Sequence, residues 1–119
     1  MSKPEENLRP MIITDPEEGR EYTLEFNRKT VKKAEQNGLD INQIGSQSMT
    51  MISNLFWSAF LMHHPNVTHD QADKILFDGL GGLSAEELEY LGKLYAAPYR
   101  ALISDEGEER NPRKMTVKF

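Results

Sequence analysis

A chain of 119 residues with 38% apolar and 28% charged side chains has room for one buried core, and its net charge of −5 excludes the broadly basic surface on which non-specific nucleic-acid binding rests. The absence of cysteine excludes disulfides and thiolate metal sites. No apolar run approaches the roughly 20 residues that span a bilayer, and the start MSKPEENLRP lacks the apolar core of a secretory signal, so a protein that stays in the cytoplasm, with neither membrane nor nucleic acid as partner, is expected.

Residues 1–10 are charged, carry two prolines and are expected to form a mobile arm. Met11 to Ile13 make a short apolar run, and DPEEG at 15–19 has the Pro and Gly of a turn. Beyond it Tyr22, Leu24 and Phe26 alternate with Thr23 and Glu25, the period of a half-buried strand. The pair reads as a β-hairpin with a loop of about five residues. A lone hairpin is marginal in water, so its apolar face must lie on something else.

Asn27 is placed to cap a first helix from Arg28 to Asn37, with Gly38 supplying the left-handed C-terminal position. Val31 and Ala34 give this helix a thin apolar stripe, and Lys29, Lys32 and Lys33 keep the opposite face wet. Leu39, Ile41 and Ile44 are expected to plug the edge of the core. The stretch Met49 to Leu61 then supplies the central helix, whose inward stripe is Ile52, Leu55, Phe56, Ala59 and Phe60. It should stop at His64, because the residue before Pro65 is pushed away from helical geometry.

Thr68 opens THDQ and Ser84 opens SAEE, two capping boxes that start a third and a fourth helix. Ala72, Ile75, Leu76 and Leu80 face inward from the third, which ends in Gly79, Gly81 and Gly82. Leu88, Leu91, Leu94, Tyr95, Leu102 and Ile103 form the stripe of the fourth, where Pro98 predicts a kink or a break. From Ser104 the segment SDEGEERNPRK has nothing to bury and reads as a flexible linker. It ends in MTVKF, an alternating tip able to dock as an added strand on its own hairpin or on a partner's sheet.

The expected fold class is therefore α+β, mainly α: an N-terminal β-hairpin, about four helices and a flexible polar C-terminal tail. Residues 1–10 are the arm, 11–103 a single globular domain, and 104–119 the tail with its strand-like tip.

Catalytic and metal chemistry find little support in these residues. His63, His64 and His69 cluster around one turn with Asp70 and Asp73 nearby, but adjacent histidines point in different directions and do not reproduce an HExxH ligand set. The acidic residues fall on turns, helix starts and tails, no serine sits in a GxSxG elbow, and DGLGGLS lacks the strand and the GK[ST] of a phosphate loop. No enzyme, metal or cofactor is expected. What remains is apolar surface: Met51, Trp57 and Met62 lie off the main stripe and, with Met115, Val117 and Phe119 of the tip, are the candidate partner-binding residues.

The order of features is informative as a set. A strand EYTLEF leads through NRKTVKKAEQNGLDI into the apolar helix SNLFWSAFLMHHPNVTHDQADKIL and then LSAEELEYLGKLYAAPYRALI. Phe26 and Arg28 enter a helix carrying Ala34, Glu35 and Gly38; Leu55, Phe56 and Phe60 precede His63; Tyr95 and Pro98 mark the closing helix. Over residues 21–103 this resembles the small tail assembly chaperones of long-tailed, siphovirus-type bacteriophages and prophages of Gram-positive bacteria. The resemblance implies a non-enzymatic, homo-oligomeric chaperone in the host bacterial cytoplasm, absent from the mature virion, that keeps the tape measure protein soluble and helps recruit tail tube subunits. Two other readings stay open: a phage head–tail connector or adaptor structural protein, and a small host-directed regulatory binding protein.

Overall fold

The computed structural model describes residues 8–101 and 115–119. Residues 1–7 of the expected arm, the positions Leu102 and Ile103, and the linker from Ser104 to Lys114 lie outside the described residues, while the end of that arm is held to the fold, Leu8 packing against the core and the Arg9 carbonyl accepting from the Tyr90 hydroxyl at 2.6 Å. The fold is an N-terminal two-stranded antiparallel hairpin followed by four helices: β1 (Met11–Asp15), β2 (Arg20–Leu24), α1 (Arg28–Gln36), α2 (Ser48–Phe60), α3 (His69–Lys74) and α4 (Ala85–Ala96).

The hairpin closes through a turn that its own side chains build. Asp15 Oδ1 accepts from the Glu17 and Glu18 amides at 3.0 and 3.3 Å, and Gly19 takes φ +64°, a conformation that costs a residue with a Cβ about 1 kcal/mol. Met11 pairs with Leu24 and Ile13 with Tyr22, so the period-two pattern puts these four on one face. That face lies on α2: Leu24 is fully buried, and Tyr22 meets Phe60 edge-on at 5.5 Å. The expected strand overshoots at one point. Phe26 stands beyond β2, where the Glu25 amide has left the ladder to donate to the Ala59 carbonyl at 3.0 Å, yet Phe26 is buried edge-on against Tyr95 at 5.1 Å.

α1 begins at a reciprocal cap in which Asn27 Oδ1 accepts from the Thr30 amide at 2.8 Å while Thr30 Oγ1 accepts from the Asn27 amide at 2.9 Å. Its thin stripe of Val31 and Ala34 is buried as a brace against α2, and Gly38 leaves it at φ +96°. A short 3-10 turn, Ile41–Gln43, then leads into α2; Leu39 is buried, Ile44 is partly buried, and Ile41 is exposed rather than a plug.

α2 runs through the middle and touches α1, α3, α4 and β2. Leu55, Phe56, Ala59 and Phe60 are fully buried, whereas Ile52 is only partly so. Each large side chain in that stripe contributes about 1.5–3 kcal/mol of transfer free energy, which makes this helix the main source of the core. The regular helix ends at Phe60, short of the expected stop at His64, and a turn in which the His64 amide donates to the Phe60 carbonyl at 2.7 Å carries the chain to Pro65.

α3 and α4 start at the two expected capping boxes, with Thr68 and Gln71 at one and Ser84 and Glu87 at the other. α3 widens after Lys74 into a π-helical turn, Ile75–Gly79, in which the Leu80 amide reaches back to the Ile75 carbonyl at 2.8 Å. Under-winding rotates Leu80 off the face shared by Ala72 and Leu76, so Leu80 is exposed where an inward position was expected. Gly81 and Gly82, at φ +67° and +94°, turn the chain toward α4. α4 buries Leu91, Leu94 and Tyr95 and passes at Ala97 into a 3-10 turn, Ala97–Ala101, because Pro98 has no amide to continue the helix.

Candidate functional site

The six candidate residues do not form one surface. Met51 is 6% exposed, and its sulfur accepts from the Asp40 amide at 3.4 Å, so it belongs to the core and offers no partner a contact. It is drawn in by the loop before α2, which folds over the helix entrance. Trp57 and Met62 are partly buried. Trp57 Nε1 donates to the Val67 carbonyl at 2.9 Å, and its ring stacks on His69 with centroids 4.9 Å apart and planes 5° from parallel. The indole thus fastens α2 to the turn before α3. Met115, Val117 and Phe119 are exposed and lie outside any strand.

The three histidines serve three different contacts. His63 Nε2 meets Glu25 Oε1 at 2.7 Å, and His64 Nε2 accepts from the Thr23 amide at 2.9 Å, so both hold the hairpin to the end of α2. His69 Nε2 lies 2.8 Å from Ser53 Oγ, which donates to Asp73 Oδ1 at 2.6 Å. Serine, histidine and aspartate stand together here without the order that nucleophilic catalysis needs. The one Ser53 proton goes to Asp73, so His69 Nε2 carries the proton in its own contact and cannot accept from Ser53. The trio is a polar staple between α2 and α3. Among the described residues no group of three His, Asp or Glu could hold a metal ion.

One apolar concavity is a groove of about 250 Å³ between the first turn of α2, the π-helical turn and the start of α4. Its walls are Met49 and Ile52 from α2, Leu76 and Phe77 from the turn, and Leu83 and Leu88 from the α4 side. Met49 is 73% exposed and Phe77 48%, and Leu80 adds exposed apolar surface on the same turn. Met supplies a flexible, polarizable contact and Phe a large flat one, a combination suited to apolar side chains of varied shape. The sequence placed Met49 at the start of the central helix but singled out neither it nor Phe77 as a contact residue. The signal was present in Phe77 lying off the Ala72–Leu76 stripe, and the π-helical turn then sets it at the rim.

A second concavity, of about 300 Å³, is lined by Arg28, Val31, Lys32 and Glu35 of α1 with Pro98 and Tyr99. There the Tyr99 hydroxyl donates to Glu35, and the Tyr95 hydroxyl lies 3.4 Å from that of Tyr99. Burial, with the Glu35 hydrogen bond behind it, pushes the Tyr99 phenol above its ordinary range, and burial does the same to Tyr95. Both phenols are therefore neutral hydrogen-bonding groups rather than bases.

No helix among the described residues is long and apolar enough to cross a membrane. No curated protein and no solved structure matches the chain. A family model spans all of residues 1–119, and the chain belongs to the family it describes, Domain of unknown function (DUF5055).

Proposed function

We propose that this protein is a non-enzymatic chaperone of bacteriophage tail assembly that keeps the tape measure protein soluble and helps recruit tail tube subunits. The resemblance over residues 21–103 supplies the biological setting: the host bacterial cytoplasm, a homo-oligomeric chaperone, and no place in the finished virion. The observation that carries the reading is the open groove with Met49 and Phe77 on its rim. A holdase for a long helical client needs adaptable apolar surface displayed on an otherwise acidic, water-compatible chain. The net charge of −5 satisfies the second requirement and the groove the first. An amphipathic client helix would lay its apolar positions between α2 and the π-helical turn.

Co-expression with the tape measure protein tests the proposal. The client is expected in the soluble fraction with the wild-type chain and in the pellet with Met49→Lys/Phe77→Asp. Both changes fall on exposed positions, so the double variant should retain wild-type circular dichroism. A client equally soluble with and without the wild-type protein would sink the proposal.

A further inference from the structure

We infer that the C-terminal tip Met115–Phe119 of one copy adds as a third strand to the outer edge of β1 in a second copy. The argument is independent of the chaperone reading and begins with the direction of one amide. The Thr23 N–H points away from β1, to His64 Nε2 at 2.9 Å. Thr23 faces Ile12 in the ladder, so this pair is non-hydrogen-bonded, and the bonded pairs are Met11 with Leu24, Ile13 with Tyr22 and Asp15 with Arg20. The backbone groups of Ile12 and Thr14 therefore point to the far side of β1. Among the described residues the sheet has two strands only, and neither Ile12 nor Thr14 makes a backbone hydrogen bond on that side. The other edge is closed over its second half, where the Thr23 and Glu25 amides are held by His64 and Ala59.

An edge of this kind is a template for another strand, and natural proteins commonly blunt one with charge, proline or a bulge. β1 carries none of these at Ile12, whose side chain is 50% exposed. The tip MTVKF equals the five-residue β1 in length and shares its period. Laid along the edge, Met115, Val117 and Phe119 extend the inward face beside Met11 and Ile13, while Thr116 and Lys118 join Ile12 and Thr14 on the water side. A slip by one residue would reverse every one of these placements.

The second copy follows from where the tip stands and how it is tethered. Met115, Val117 and Phe119 are exposed, so their own domain does not cover them. Residues 102–114 span at most about 45 Å when extended, enough to leave one domain of this size and reach the next. Reciprocal exchange, each tip on the other copy's β1, closes a two-fold dimer with both edges capped.

Light scattering on the full chain after gel filtration, with hydrogen exchange at Ile12 and Thr14, reads the outcome. The wild type is expected to be a dimer whose Ile12 and Thr14 amides gain protection with concentration. Ile12→Pro removes an outward amide that the hairpin does not use, and Val117→Pro alters only the tip; each is expected to weaken dimerisation at least tenfold. Mixing the two variants should restore one docking contact and yield a heterodimer. Because Val117 lies outside the folded domain, its result stands even if Ile12→Pro fails to fold. A monomeric wild-type chain, whether or not its own tip protects β1, overturns the inference, as does a dimer that Val117→Pro leaves intact.

Discussion

Ser53 and Ser58 stand on the same helix and are both buried, but their hydroxyls meet opposite fates. Ser53 is satisfied twice, giving its proton to Asp73 and accepting from His69. Ser58 Oγ has no hydrogen-bond partner among the described residues. A buried unpaired hydroxyl costs roughly 1–3 kcal/mol relative to water, so Ser58→Ala is expected to be neutral or to stabilise by up to about 1 kcal/mol. Ser53→Ala strands two partly exposed partners and is expected to destabilise by about 1 kcal/mol. Urea titration of both variants checks the pair, and equal effects in the same direction would refute the distinction. Neither fate was legible in the sequence. Neither serine stands out on an apolar helix, because a hydroxyl's partner on another element leaves no trace in local spacing. The contacts of His69 were hidden in the same way. It stood out only as one of three histidines around a turn, whereas its ring stacks on Trp57 and contacts Ser53.

Elements whose signals are local were legible almost to the residue. Asn27, Thr68 and Ser84 cap the helices they were expected to cap, since a capping box is complete within four residues. Period-two and period-3.6 patterns likewise found the hairpin and the α2 stripe. The failures occur where an element departs from its ideal winding. Leu80 was placed inward on the assumption of 3.6 residues per turn, and the π-helical turn at Ile75–Gly79 voids that assumption. The candidate groove depends on the same departure, which explains why Phe77 escaped notice. α3 has six residues before the widened turn, so its cap is a large part of its local stability. Thr68→Ala is expected to cost about 1 kcal/mol and to raise hydrogen exchange across 69–79 more than across α2. Uniform exchange over both helices would show that α3 and the groove wall do not open as a unit.

At the scale of the whole molecule, closure depends on pairing the first helix with the last described turn. The Tyr99 hydroxyl donates to Glu35 across that junction, and Tyr95, buried against Phe26, lies beside it. The sequence marked Pro98 as the site of a break but could not say that the chain beyond would return to α1, because that contact joins residues far apart in sequence. Its signature should be a loss of stability in alkali. The folded-state pKa of Tyr99 lies above the ordinary phenol value near 10, through burial first and the Glu35 hydrogen bond second. Above pH 10 the unfolded chain therefore holds fewer protons at this group than the folded one, and the slope of unfolding free energy against pH is negative. The contribution is complete below about pH 10 and is lost as pH climbs from there toward the raised folded value. Tyr95, also raised by burial, adds to the slope in the same direction. Denaturant titrations from pH 8 to 11 are expected to show a smaller alkaline loss in Tyr99→Phe than in the wild type. Glu35→Gln, which removes the anion that holds the proton on Tyr99, should fall between them. If Tyr99→Phe follows the wild-type curve throughout, the link between α1 and the end of α4 does not depend on this proton.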